Sequence, residues 1–351
     1  MTVAATAGST PGATPAVDLA NSTVLVTGGA GFIGSHLTEH LVSLGAQVVV
    51  LDNFRNGTRG NLTFPGAESV RVIEGDICDP QTCHDAMAGV DVVFHLACLG
   101  VRHSLHSPVE NHQVNALGTL NVLEAARAAQ VSRLLYVSTS EIYGRALEFP
   151  ITEQTTPWPL TVYGSSKLAG EHYARSYLEC WGLPVVCVRP FNNYGPRSHF
   201  EGDSGEVIPR FILRALAGQP PVVFGDGSVT RDFLYVKDCV ETLARVAEST
   251  ELVGEVVNLG YGEELTIGLL ARTVLEAVGR TDLQPVFEPP RPADVPRLWV
   301  DTSRLRKTVD FAPRVSLAEG IGHTLEYFQR LLREQPGALE RMQTRNWSQP
   351  A

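Results

Sequence analysis

Residues 23–34 read TVLVTGGAGFIG, an apolar run rich in β-branched residues that is cut off by four glycines within eight positions before the chain returns to residues that suit a helix. A chain gives up side chains where its backbone must turn sharply or come close to something. Here Gly28 permits the tight turn, Gly31 lets the backbone approach a pyrophosphate, and Gly34 lets the helix lie against the strand. The unpaired N–H groups at the helix start, around Phe32 and Ile33, are aimed at the phosphates. The stretch therefore predicts a dinucleotide cradle between a strand and a helix. The next strand-like run, VVVLDNF, ends at Asp52, where an acid bonds the adenosine ribose hydroxyls, with Asn53 beside it. Asp52 would repel a 2′-phosphate, which favours NAD, while Arg55 nearby leaves NADP open. Asp76 in EGDICD, followed by Ile77, fits a partner for the adenine ring and equally an Asp that starts a turn.

From Thr23 to Ser138, strand-like runs (TVLVT, QVVVLD, VRVIEGD, DVVFHLA, RLLYVS) alternate with helical ones such as SHLTEHLVSLG and NALGTLNVLEAARAAQ. Strands separated by helices build a parallel sheet covered on both faces, and the nearly all-apolar runs fit strands buried on two sides. The expected fold is α/β, a doubly wound parallel sheet of the Rossmann type. KLAGEHYARSYLECWG and LPVVCVRP continue the pattern, with Gly182 and Pro184 marking the helix end. After Arg189 the chain becomes loop-like and proline-rich. The expected organisation is a disordered tail over 1–20, an NAD-binding domain carrying the catalytic residues over 21–190, a smaller substrate-binding lobe over 191–335, and a flexible tail over 336–351. Some segments of the lobe are expected to return to the first domain.

Composition narrows the function. With 351 residues, 44% of them hydrophobic, the chain can fill a large core, and a net charge of −10 offers no footprint for nucleic acid. The six cysteines, Cys78, Cys83, Cys98, Cys180, Cys187 and Cys239, show no CxxC pair and no metal-type spacing. They read as reduced thiols of a cytoplasmic protein, with no metal expected. The first twenty residues lack a basic start and an apolar centre, and DVVFHLACLGV is too short to cross a bilayer. No membrane partner is expected.

Two further stretches carry chemistry. In Tyr163-Gly-Ser-Ser-Lys167, one helical turn places phenol and ammonium on one face, so that Lys167 can stabilise the phenolate and make Tyr163 a base near neutral pH. VSTSEIYG, residues 137–144, closes the strand RLLYVS with hydroxyl groups that can bond a substrate oxygen beside Tyr163. It also contains a carboxylate, Glu141.

TGGAGFIG, YGSSK, STSEIYG, RPFNNYGPR, GDGSVTRDFLYVKD and RPADVPRLWVDTSR together resemble the extended short-chain dehydrogenase/reductase family of nucleotide-sugar epimerases, dehydratases and decarboxylases, from about Thr23 to about Phe328. The resemblance implies tightly held NAD, a nucleotide-diphosphate sugar as substrate and a 4-keto intermediate. It places Thr139 on the sugar 4-hydroxyl, Tyr163 as base, and Lys167 on both Tyr163 and the nicotinamide ribose. Ser140 is placed in the sugar pocket. Asn192 and Arg231 match positions that hold the diphosphate, Arg291 and Asp294 the motif that reaches diphosphate and ribose, and Phe224 the place where the base is sandwiched. It further implies a homodimer, paired through the helix of NALGTLNVLEAARAAQ and the one that begins near Tyr163. The sequence departs from the family at Leu160-Thr161-Val162, where Ser-Pro usually precedes the tyrosine, and at Cys98 and Leu99, where smaller or polar residues are common. Arg102 and His103 are open to two readings, contact with the sugar or a carboxylate, or satisfaction of their loop.

A 4-epimerase has no use for a carboxylate beside C5. Once C4 is a ketone, Glu141 can remove the acidified C5 proton and help expel the C6 hydroxyl as water. Thr-Asp-Glu dehydratases use the Asp as acid, and here Ser140 stands in its place. Thr-Ser-Glu is similar to another dehydratase subset and to uronic-acid decarboxylases. The resulting order is 4,6-dehydratase, then 4-epimerase, then decarboxylase. A catalytically idle NAD-binding regulator is the alternative outside enzymes, opposed by the intact Thr139, Tyr163 and Lys167.

Overall fold

The computed structural model describes residues 16–342 and Trp347. The first half runs β1 (Thr23–Thr27), α1 (Phe32–Leu44), β2 (Gln47–Asp52), β3 (Arg71–Glu74), α2 (Pro80–Ala86), β4 (Val92–His95), α3 (His103–His106), α4 (Pro108–His112), α5 (Gly118–Ala128), β5 (Arg133–Val137), α6 (Val162–Trp181) and β6 (Val185–Pro190). It continues with β7 (Asn192–Tyr194), α7 (Val207–Leu216), β8 (Val222–Phe224), β9 (Thr230–Arg231), β10 (Phe233–Tyr235), α8 (Val236–Glu248), β11 (Val256–Leu259) and β12 (Leu265–Thr266). The last elements are α9 (Ile267–Val278), β13 (Val286–Glu288), α10 (Ser303–Val309) and α11 (Leu317–Glu334).

Seven strands form one sheet in the order β11-β6-β5-β4-β1-β2-β3, and every pairing in it is parallel. The winding reverses between β1 and β4, and the crevice beyond their carboxyl ends is where ligands enter such sheets. Side chains alternate across β1. Val24 and Val26 join Leu37 and Leu41 of α1 and Leu243 of α8 on one face. Leu25 joins Leu123 of α5 and Ala174 of α6 on the other. Each such Leu or Val, fully buried, contributes about 1.5–3 kcal/mol.

The segments after residue 190 serve several cores, with Phe191, Val295, Leu298 and Val300 packing on Ile142, Tyr143 and Ile151. α8, β11 and Leu305 of α10 belong to the sheet, whereas Phe211 of α7, Leu270 and Val274 of α9 and Ile321 and Phe328 of α11 form a core of their own. Both ends pack further outward than their composition implies. Leu19 is fully buried and its N–H donates to Glu248 Oε1 at 3.2 Å. Ala338 is buried, and Leu339 and Met342 lie against the α7–α9–α11 core, where a flexible tail was expected from 336. Single apolar anchors in Ala- and Pro-rich or charged segments carry no periodic signal, so composition hides them. The remainder of the two expected tails, residues 1–15, 343–346 and 348–351, lies outside the described residues.

Candidate active site

A cavity of about 410 Å³ opens at the carboxyl ends of β1, β2, β4 and β5. Its floor is the β1–α1 turn. Gly28 has φ +71°, and a Cβ there would meet Ala97 N at 2.8 Å. A Cβ on Gly34 would lie 2.1 Å from the Gly28 carbonyl, so only glycine lets the helix approach the turn. Gly31 caps α1 without a side-chain bond, which leaves the N–H groups of Phe32, Ile33 and Gly34 without a side-chain partner on the cavity wall. Asp52 is anchored by the N–H groups of Ala30 (2.9 Å) and Phe54 (2.8 Å). Burial raises its pKa and those two bonds oppose the rise. Lone pairs remain for ribose hydroxyls. Asp76 accepts from Asn53 Nδ2 at 2.9 Å and from the Cys78 N–H at 2.8 Å, so it shapes a turn while lining the cavity with Asn53 and Ile77. Partial burial opposes its charge, but these bonds hold its carboxyl below the ordinary value. Arg55, the cation that could favour a 2′-phosphate, is tied to Glu110, which also accepts its NH2 at 3.2 Å. The glycine cradle and the anchored Asp52 fit NAD.

The catalytic wall is built where β5 meets α6. Thr139 caps a single 3₁₀ turn at Ser140–Ile142, its hydroxyl accepting from the Glu141 N–H at 3.2 Å. Thr161 caps α6 by accepting from the Gly164 N–H at 3.2 Å, which fixes the helix start despite the unusual Leu160-Thr161-Val162. Gly164 is required there, since a Cβ would stand 2.8 Å from the Glu141 carbonyl. That contact sets the first turn of α6 onto the Thr139–Glu141 segment, and Tyr163, Thr139, Ser140 and Glu141 all line the cavity. Burial pushes the Tyr163 phenol well up, the neighbouring Cys98 adds to this, and a hydrogen bond with Thr139 eases it. Lys167 is buried one turn behind, its Nζ 4.3 Å from the Tyr136 ring centroid, and burial lowers its pKa. Unlike Thr139, Glu141 and Tyr163, it does not reach the cavity surface. Burial also raises the pKa of Glu141, against the pull of Arg231, Arg102 and Arg291 and with the push of Asp294.

Opposite this wall lie Asn192, Phe224, Arg231, Arg291 and Asp294. Arg231 and Asp294, assigned separately from sequence, form one unit. Arg231 NH2 donates to Asp294 Oδ1 at 2.6 Å and NH1 to the carbonyls of Val295 (2.7 Å) and Thr230 (2.8 Å). Asn192 Oδ1, Arg291 Nε, Arg102 Nε and Ser138 Oγ are buried without a hydrogen-bond partner, and all four residues line the cavity. Buried polar groups are rarely left so, and their convergence marks a polar ligand's place. Of the two ambiguous residues, Arg102 faces the cavity. His103 does not line the cavity; its Nε2 lies 3.2 Å from Glu110 and 3.3 Å from Arg55 in the loop, while its Nδ1 is buried without a partner. Cys98 and Leu99 line the cavity. Ser138 lies within the hydroxyl-bearing stretch 137–144 without being named by itself, and Glu206 was not singled out. Ser138 follows a strand end, a usable signal. Glu206 precedes α7 in a loop with no motif, and burial lifts its carboxyl to about 8.

A dinucleotide cradle at the switch point of a parallel sheet, with a tyrosine–lysine helix closing over it, defines an NAD-dependent enzyme of the short-chain dehydrogenase/reductase type. The chain belongs to the NAD dependent epimerase/dehydratase family, which it matches over residues 24–260, and NAD is its cofactor. It is 37% identical over 309 residues to a UDP-glucose 4-epimerase of Mycolicibacterium smegmatis, covering 87% of this chain and 98% of the relative. It is 36% identical over 324 residues to a UDP-N-acetyl-alpha-D-glucosaminuronate decarboxylase of Bacillus cytotoxicus, covering 88% and 98%. Among solved structures it is similar to the dTDP-glucose 4,6-dehydratase DesIV of Streptomyces venezuelae with NAD and TYD bound, at TM-score 0.82 and 31% identity, covering 90% of this chain and 99% of that one. No helix among the described residues is long and apolar enough to cross a membrane.

Proposed function

We propose that the protein is a nucleotide-diphosphate-sugar 4,6-dehydratase, and the observation that supports this reading over 4-epimerisation is Glu141. Its carboxyl lines the cavity two residues from Thr139, in surroundings that raise its pKa, where a simple epimerase needs no carboxylate. Bound NAD supplies the acceptor, and later the donor, of a hydride. Tyr163, backed by Lys167, takes the C4 hydroxyl proton while Thr139 holds the same hydroxyl in line. The C4 ketone acidifies the C5 hydrogen. Glu141 takes that proton and delivers it to the departing C6 hydroxyl, so one water leaves and Glu141 is again ionised. Return of the hydride to C6 and uptake at C5 of a proton from solvent, balanced by release to solvent of the proton that Tyr163 took, complete a 4-keto-6-deoxy sugar. Asn192, Arg231 and Arg291 hold the diphosphate, Asp294 the ribose, and Phe224 carries the base. The proposal includes a cytoplasmic homodimer joined through α5 and α6, near which Val109, Leu117 and Trp181 stand exposed. Light scattering at micromolar concentration tests the assembly, and a monomer would overturn it.

The reaction is tested with a panel of UDP-, dTDP- and GDP-sugars and product masses. Wild type should lose water. Glu141→Gln should lower water loss by roughly 10²–10⁴-fold while absorbance at 340 nm persists in the complex. Because Glu141 acts ionised and its pKa is raised, wild-type turnover should climb with pH through a limb above the ordinary carboxylate range, and the variant should lack that limb. The relative from Mycolicibacterium smegmatis favours a second reading, 4-epimerisation. Full activity of Glu141→Gln, with a mass-neutral product inverted at C4, would establish it in place of the dehydratase.

A further inference from the structure

Phe224 ends β8 on the cavity wall, and Arg291 lies in the loop after β13. From far beyond both in sequence, Trp347 brings its indole against Phe224, ring centroids 4.6 Å apart and planes at 87°. The Arg291 guanidinium carbon stands 5.0 Å from the Phe224 centroid and 5.7 Å from that of Trp347. Each of the three groups is thus within contact range of the other two. Arg291 Nε has no hydrogen-bond partner, so ring faces hold this guanidinium on the protein side. Trp347 itself does not line the cavity. It stands behind two residues that do.

We infer that Trp347 is a positioning residue of the nucleotide site, setting the plane of Phe224 and the aim of Arg291 so that a base can stack and a diphosphate can be met. The inference rests on the nucleotide-sugar reading above. A phenyl ring at a strand end can swing about two torsions, and a base gains most from a ring whose face is already fixed. An edge-to-face partner fixes it. The same indole caps the guanidinium without using its donors, which leaves them for phosphate oxygens. Trp347 lies outside residues 24–260, so this support belongs to the chain's own C-terminal segment rather than to the part matched to the family. Linkage is reciprocal: a nucleotide seated on Phe224 and Arg291 strengthens the docking of Trp347 by the factor that Trp347 strengthens the nucleotide.

The test is calorimetric titration of the NAD-loaded protein with UDP, dTDP and GDP, for wild type, Trp347→Ala and Trp347→Phe, alongside steady-state kinetics on the matching sugar nucleotide. For the diphosphate that wild type binds, Trp347→Ala should weaken binding roughly two- to tenfold, and Trp347→Phe should recover most of the loss. KM should rise by the same factor while kcat stays within about twofold, since uniform binding is what is lost. Melting temperature and NAD content should not change. Unchanged affinity in Trp347→Ala, or a fall in kcat together with the melting temperature, would overturn the inference and leave the nucleotide-sugar reading standing. Wild type binding none of the three would overturn that reading and this inference with it.

Discussion

Arg189 behind the catalytic helix is buried and Arg102 in front of it is half-buried with its Nε shut off from solvent, yet the protein treats their charges in opposite ways. Arg189 on β6 donates from Nε and NH2 to the two carboxylate oxygens of Glu171 on α6, at 2.9 and 2.7 Å, and from NH1 to the Tyr143 hydroxyl at 2.8 Å. The Tyr143 hydroxyl in turn donates to Asn258 Oδ1 on β11 at 2.6 Å. Burial works against the Arg189 charge, but Glu171 outweighs it and the pKa rises. Arg102 has one long bond, NH1 to the Asp203 carbonyl at 3.4 Å, and an Nε with no partner. Burial lowers its pKa against the pull of Glu206, Glu141, Asp203 and Asp294, none of which forms an ion pair with it among the described residues. A buried cation matched inside the protein ties elements together. One left unmatched on a cavity wall is a site for an anion that arrives from outside.

The largest effect expected from this contrast is on the matched side. Glu171→Ala strands Arg189 in the interior and should destabilise the fold by about 3–5 kcal/mol, read as a lower midpoint in denaturant unfolding. Because Arg189 ties β6, α6 and the Tyr143 segment, the loss should be shared by the whole sheet domain as one transition. A change below about 1 kcal/mol would show that the network is dispensable and would erase the distinction between the two arginines.

The sequence exposes the cofactor side of this molecule more fully than the substrate side, and the reason is physical. Gly28, Gly34 and Asp52 act through backbone conformation, close approach and position at a strand end, all of which leave local marks in a chain. The Tyr163–Lys167 spacing is similarly local, one turn of α6. The pairing of Arg231 with Asp294, the turning of Arg102 into the cavity while its neighbour His103 does not line it, and the docking of Trp347 on Phe224 depend on where distant segments meet. No periodicity reports that. Resemblance to the family named Arg231 and Asp294 singly, but not that each is the other's partner. The burial of Leu19 and Ala338 belongs with these, since one apolar anchor has no pattern around it.

The smaller effect is on the unmatched side, and its sign separates a scaffold charge from a ligand charge. Arg102→Met keeps a long apolar stem and removes a half-buried charge that has no carboxylate partner, so the ligand-free protein should be at least as stable as wild type. Its affinity for the sugar nucleotide should fall by about 1.5–3 kcal/mol, roughly 10- to 150-fold in Kd, because a charged hydrogen bond to the ligand is lost. Denaturant unfolding without ligand and calorimetric titration with ligand measure the two halves. A variant that unfolds as easily as Glu171→Ala and still binds normally would make Arg102 part of the scaffold. Arginine in front of α6 would then differ from Arg189 only in having weaker partners, and the orphaned Arg102 Nε would need a cause other than substrate. Loss of binding with undiminished stability leaves one arrangement standing, in which the cavity holds a cation in reserve and the substrate's own charge completes the pair.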